Sequence, residues 1–322
     1  MANTYAGVFQ TLAAAFNEAS LAKKHRNTII DSVTKDFSPE FAAPYSTLNT
    51  NIANSGFTPT NLASGSTLTI SNVNLDPGVV SLNYHETLGV DIPSLDLAKA
   101  GSGFVAKIRD ELLKSIENSI NMALASLFTT ANFNSYNVVY NGNYTETNYF
   151  NGASISATDM IFTETMNVAW QELVNNYVPI HEAGDSHLLM PPVVYGNVLT
   201  TNPNWFVSMA TGDTYAGDTV RSGALPSRWN ISPVWDADMN TALGTGGYLS
   251  CLFHRYAIAL VARAIPAPAN PNVPCAYVNY RGLPVRIILD YWQPNQSDRL
   301  TADVLFGCSV VRPDHGIMIQ SS

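Results

Sequence analysis

Charge is what this sequence has least of. Only 13% of its residues are Asp, Glu, Lys or Arg, about half of the roughly 25% usual in soluble domains. The balance is acidic, with 16 Lys+Arg against 25 Asp+Glu and a formal net charge of −9. That excludes a generally basic nucleic-acid binder, though it leaves room for a local basic patch. Cysteine is also scarce. Cys251, Cys275 and Cys308 are odd in number, far apart and without CxxC spacing. They suit a reducing compartment better than a disulfide framework or a zinc site. No run of 18 apolar residues occurs, so no membrane-spanning helix is expected. The opening stretch Met1–Gln10 lacks a basic start followed by an apolar block, and no secretory signal is read there.

The signatures of common chemistry are missing too. There is no GxGxxG after a strand, no GxxxxGK[ST] and no GxSxG. Gly244-Thr245-Gly246-Gly247 reads as a loop. The segment from His181 to His187 holds two histidines and two acids, but a helical zinc pair needs spacing i, i+4. Here the spacing is six and Gly184 intervenes, so a solvated loop competes with a loop gathering His181, Asp185 and His187 around a cation. His254, in an apolar setting, reads as structural. The sequons at Asn143, Asn230 and Asn295 have no meaning without a secretory route. This inventory argues against catalysis and implies no cofactor and no metal.

What is present is a sizeable apolar fraction. Of 322 residues, 46% are hydrophobic, enough for one large domain or two ordinary ones. Asn occurs 31 times, more often than Asp and Glu together. A free monomer keeps itself soluble with charge, whereas interface cores are depleted of it. A surface of neutral amides therefore suits an exterior covered by neighbours; a mere compositional bias toward Asn is the alternative. The charge is also unevenly spread. Lys23, Lys24, His25 and Arg26 form a basic knot, with Lys35 nearby. From Ser115 to Val220 there is no Lys or Arg, and from Arg221 to the end there are eight Arg and no Lys. Such a layout can pair one subunit's segment with another's.

Along the chain, residues 1–50 read as an arm with too few apolar residues for a core of its own. It contains a candidate helix over Val8–Phe16 and a short β-branched stretch over Thr28–Val33. Residues 51–100 read as a projecting polar hairpin. Its strands are Thr67–Ser71 and Val79–Tyr84, and Asp76-Pro77-Gly78 is the turn. Residues 102–128 hold the clearest helix: Phe104, Ile108, Leu112, Ile116, Ile120 and Leu124 recur every four positions, after Ser102 as a candidate N-cap. A second helix is expected from Ser156 or Thr158 to about Tyr177, stopped by Pro179. Leu188–Met190 reads as a strand, with Val193-Val194-Tyr195 opening another helix. The end is β-rich: Tyr248–Phe253, Leu283–Tyr291, Leu300–Phe306 and Ile317–Ile319. In Leu300–Phe306 the even positions share a face, Thr301 and Asp303 point away, and Gly307 breaks the run. Arg255–Ala262 is ambiguous between helix and strand.

Four motifs then carry a resemblance. Phe253-His254-Arg255-Tyr256-Ala257-Ile258-Ala259-Leu260, Gly282–Tyr291, Asp298–Gly307 with Val310-Val311-Arg312-Pro313-Asp314, and Arg221-Ser222-Gly223-Ala224-Leu225 resemble stretches of tailed-bacteriophage major capsid proteins. These have the Hong Kong 97-type fold.

The resemblance implies an α+β fold with an N-terminal arm (1–50), an extended loop (51–100) and a peripheral domain with a long spine helix (101–155). An inserted axial domain (156–244) and return strands of the peripheral domain (245–322) complete it. It implies self-assembly into pentamers and hexamers of an icosahedral shell around double-stranded DNA, with a procapsid-to-capsid rearrangement and hinges near Gly101 and Gly103. Implied partners are a scaffolding protein, a portal protein and DNA held non-specifically, with room for a decoration protein and no membrane. Assembly would occur in the host cytoplasm and the product would be the virion. Lys23, Lys24, Arg26 and Lys35 become candidates for facing DNA or a neighbouring subunit, a frayed arm being the alternative. Leu68, Ile70, Val79, Val80 and Leu82 become candidates for loop contacts between subunits. Lys99 is the only lysine in the presumed loop, so no Lys–Asn crosslink is expected. The chain starts at the arm, so scaffolding is expected either as a separate protein or as a segment already removed. A nanocompartment shell of the same fold and a soluble hydrolase or carbohydrate-binding protein are the competing readings.

Overall fold

A computed structural model describes residues 29–35, 47–53, 75–93, 101–133, 138–140, 161, 163–180, 184–201, 225, 229–239, 247–270 and 273–321. Among these are four α-helices: α1 (Ile29–Ser32), α2 (Gly101–Ala125), α3 (Thr163–Asn175) and α4 (Pro192–Thr201). The strands are β1 (Thr47–Ala53), β2 (Leu75–Ser81), β3 (Tyr84–Pro93), β4 (Val138–Tyr140), β5 (Ser186–Met190), β6 (Ile231–Trp235), β7 (Tyr248–His254), β8 (Ile258–Arg263), β9 (Cys275–Tyr280), β10 (Leu283–Trp292), β11 (Ser297–Val310) and β12 (Gly316–Ser321).

The four-residue recurrence in the sequence does become one long helix. Leu112, Ile116, Ile120 and Leu124 of α2 are all buried, forming the stripe that faces the core. The helix begins at Gly101, so Ser102 lies in its first turn rather than capping it. The second helix, α3, ends before its proline does any work. Tyr177 adopts a left-handed φ of 58°, and the N–H groups of Val178 and Tyr177 return to the carbonyls of Leu173 and Val174. This is a Schellman termination with tyrosine where glycine is usual, closed by contact between buried Val178 and Leu173.

Two five-stranded sheets and a separate two-stranded ribbon organise the strands. The first sheet runs β3-β11-β10-β9, with β8 following β10 along the same side of β11. The second runs β4-β12-β7-β5-β6 and is mixed, with β4 and β6 parallel to their neighbours. Strand alternation splits the side chains of this second sheet between two cores. Leu189, Cys251, Phe253 and Met318 face a core shared with α1, α2 and the first sheet. Leu188, Met190, Leu252, Ile317 and Ile319 face another, closed by α3 and α4. A sheet covered on both faces reads as continuous apolar text, which explains why Tyr248–Phe253 and Ile317–Ile319 show little alternation.

Several expectations are corrected. The β-branched stretch turns out helical where it is described: residues 29–32 form α1, and Ile29, Ile30 and Val33 belong to the main core rather than to a free arm. Asp76-Pro77-Gly78 is not a turn. It lies inside β2, which pairs antiparallel with β1 so that Pro77 faces Asn51. A two-stranded ribbon consists only of edges, where proline is tolerated. Tyr84 belongs to β3, which joins the main sheet through β11. Gly307 does not break its strand, since β11 runs through it for 14 residues. Its lack of a side chain has a tertiary cause: a Cβ there would stand 1.9 Å from the Ser81 carbonyl oxygen. Asp303 does not point to solvent but is buried and held by Arg286. The Arg255–Ala262 ambiguity resolves into a 3₁₀ turn over Arg255–Ala257 followed by β8. Val8–Phe16, Thr67–Ser71, Ser156 and Thr158 lie outside the described residues.

Gly307→Ala is expected to cost about 1–3 kcal/mol, the range for forced overpacking, and to displace the ribbon's base. Urea denaturation checks it; a loss under about 0.5 kcal/mol, the range of neutral surface changes, would contradict this close approach.

Candidate functional site

The polar constellations of this chain are built as joints between elements. The tightest surrounds Glu117 on α2, which is fully buried. The β9–β10 connection is a two-residue turn, Arg281-Gly282, with φ of 48° and 83°, as a type I′ hairpin requires. That turn aims Arg281 back at the helix. Its Nη2 lies 3.1 Å from Glu117 Oε1, and its Nη1 donates to Asp31 Oδ2 at 3.0 Å. The Tyr280 hydroxyl donates to Glu117 Oε2. Burial, then the hydrogen bond to Glu117, pushes the Tyr280 phenol well up. Lys35 completes the joint: its Nζ donates to the Arg281 carbonyl at 2.6 Å and lies 3.8 Å from Asp31. Burial lowers its ammonium pKa, with Asp31 opposing.

A second joint ties α2 to the segment after β6. Asn121 Nδ2 donates to both oxygens of buried Asp236 and, at 2.6 Å, to Asp238 Oδ2. Other pairs cross strands: Arg286 forks onto Asp303, and Arg299 onto Asp91 on the neighbouring β3. Arg299 also stacks over Trp292 at 4.6 Å. Among the described residues, four C-terminal arginines thus pair with carboxylates of the same chain, Arg281 and Arg255 with Glu117 and Asp185 of the acidic middle.

The His181–His187 region is only partly described. Asp185 Oδ1 accepts from Arg255 Nη1 at 3.1 Å, and the His187 ring lies 5.9 Å from that of Phe253. Burial pulls the His187 pKa down to about 4. His181 lies outside the described residues, and among those described no three His, Cys, Asp or Glu side chains gather as a metal set. His254 is buried, and its Nδ1 accepts from the Tyr256 N–H at 3.4 Å. The three cysteines are free thiols.

The remaining candidates concern the ribbon and the arm. Val80 is fully buried against Ala259 and Val261, with Leu82 half-buried beside it, while Val79 is 49% exposed. The ribbon is therefore anchored at its base with Val79 facing outward. Lys35 is engaged within the chain; Lys23, Lys24, Arg26, Leu68 and Ile70 lie outside the described residues. Sequence reasoning missed Glu117, Asn121, Tyr280 and Arg281 as joints. The one available signal was an acid and an amide, Glu117 and Asn121, at helical spacing i, i+4 beside the apolar stripe.

This architecture has known counterparts. No protein-family model and no curated protein matches the sequence. Solved structures do match along nearly its whole length. The capsid of Ralstonia phage GP4 shares 10% identity at a TM-score of 0.63, covering 93% of this chain and 88% of that one. The structure of Mycobacterium phage Che8 shares 13% identity at a TM-score of 0.61, covering 90% of each chain. The capsid structure of cyanophage P-SCSP1u shares 14% identity at a TM-score of 0.57, covering 87% and 84%. The chain has the α+β fold of tailed-phage capsid subunits, the Hong Kong 97 type.

Arg281→Met should be strongly destabilising, by about 3–5 kcal/mol, because it leaves the Glu117 carboxylate buried without its cation. Adding Glu117→Gln should recover part of that loss. A double-mutant cycle in urea measures both; additive losses would show that the pair is not coupled.

Proposed function

We propose that this chain is the major capsid protein of a tailed double-stranded DNA bacteriophage. Its work is structural rather than enzymatic: many copies assemble into pentamers and hexamers that close an icosahedral head around DNA. The observation that carries this reading is the near-complete coverage of phage capsid chains by one continuous fold. The composition agrees, since a chain with only 13% charged residues and abundant Asn is suited to burial against sister copies. Closed symmetry multiplies weak contacts, so no single interface need be strong.

Within this reading residues 1–50 act as the arm, docked on the main core through Ile29, Ile30 and Val33. Residues 51–100 act as the extended loop, with its β3 end paired to β11 of the main sheet, 101–155 and 245–322 as the peripheral domain, and 156–244 as the axial domain. Exposed Val79 and the ribbon's outer part, with Leu68 and Ile70, contact a neighbour. Val80 and Leu82 hold the base. Lys23, Lys24 and Arg26 face DNA or an adjacent subunit. Rigid-body rotation converts a procapsid into the mature shell, assisted by scaffolding and portal proteins in the host cytoplasm.

Electron microscopy of the purified chain, with its scaffolding partner supplied, is expected to show closed shells. Removal of residues 1–27 spares Ile29, Ile30 and Val33 of the core, so that variant should fold and fail to close shells. Normal shells from it would refute the arm's role. A monodisperse 35 kDa monomer at all concentrations would refute the whole reading, and shells enclosing an enzyme instead of DNA would favour a nanocompartment.

A further inference from the structure

Besides the long passage from β3 through α2 to β4, the two five-stranded sheets are joined by two short crossovers that lie against each other. The chain leaves β7, passes through the turn Arg255–Ala257 and enters β8 of the other sheet. It returns from β11 through Val311, Arg312 and the turn Pro313–His315 into β12. The carbonyl of Ala257 in the first crossover accepts from the N–H groups of Val311 and Arg312 in the second. Each crossover carries one buried histidine, His254 at the start of the first and His315 at the end of the second. Their rings meet edge to face at 5.9 Å. His187 on β5 stands across from Phe253 at the end of β7.

The hydrogen bonds fix what protonation would do. Arg312 Nη1 lies 3.4 Å from His315 Nε2. A guanidinium only donates, so His315 must accept there, as a neutral ring. His254 Nδ1 likewise accepts from the Tyr256 N–H. A proton on either acceptor nitrogen sets donor against donor. The charged surroundings add to this. His187 faces Asp185, His254 and Arg255, while His315 faces Arg312 and His254. Asp185 is the carboxylate among these groups, and Arg255 already holds it.

We propose that the paired crossovers form an acid-responsive seam, in which protonation of His315 breaks its acceptor bond from Arg312, and the charges gained by His187 and His315 crowd the end of β7 around His254 and loosen the joint between the two sheets. This inference concerns the isolated fold and does not depend on shell assembly. Burial chiefly holds both His187 and His315 down at about 4, against about 6.5 in an unfolded chain. The unfolded state therefore binds more protons below pH 6.5. The stability is complete above that pH, is lost progressively as pH falls from about 6.5 toward about 4, and the loss levels off below the folded value.

The test compares the wild-type chain with a His187→Gln/His315→Gln variant. Wild type should lose roughly twentyfold in folding equilibrium per histidine between pH 7 and pH 5, read by urea denaturation, and the variant should lose much less. Hydrogen exchange, corrected for intrinsic rates, should rise first in residues 253–258 and 310–317. An unchanged pH slope in the variant would overturn the proposal. So would a rise in exchange spread evenly over both sheets, and this wild-type reading decides the matter alone if the variant does not fold.

Discussion

The rest of the structure depends on one sheet being buried on both faces. Strands β5, β7 and β12 give alternate side chains to two separate cores, so neither layer is complete without the other. Such strands lack the usual device for setting register, because a one-residue slip would exchange one apolar face for another. Shape sets it instead. Gly316 pairs with Phe253, and a Cβ at Gly316 would stand 2.5 Å from the ring of Phe133. Phe133 in turn stacks on Phe128, which packs against Phe253. A slipped β12 would drive a side chain into that aromatic group.

The polar joints lie where elements from distant parts of the sequence cross. Glu117 and Asn121 sit one helical turn apart on α2 and bind, respectively, the β9–β10 turn and the segment after β6. Together they fix the rotation of the helix against both sheets, a specification that the apolar stripe alone cannot provide. Buried ion pairs of this kind contribute little net stability but penalise wrong arrangements. In the shell proposed for this chain, correct relative placement of elements would matter more than extra stability, because closed symmetry constrains every interface.

Much of this was legible in the sequence where local pattern and tertiary environment agree. The stripe Leu112–Leu124 demanded a helix because a period of four has no other use, and Leu300, Ala302, Val304 and Phe306 all face the core as their alternation implied. The failures share a physical cause. Asp76-Pro77-Gly78 favours a turn locally, but pairing with Thr47–Ala53 overrides that preference. Gly307 reads as a strand breaker until the Ser81 carbonyl approaches it. Arg281 reads as an interface residue until a hairpin turn brings it to Glu117, 164 positions earlier in the chain. Each depends on a partner far away in sequence, and no local window contains that partner. The family resemblance rested on the β-rich terminal motifs, and those motifs form the two crossovers and the strands beside them.

The most direct measurement of the shared-sheet account is hydrogen exchange in rising urea, followed separately in α2 and α3. The two helices belong to different cores on opposite faces of the same sheet. If the sheet unites them, both lose protection at one urea concentration, together with β7. Loss of protection in α3 and α4 at distinctly lower urea, with α2 and β7 still protected, would contradict it.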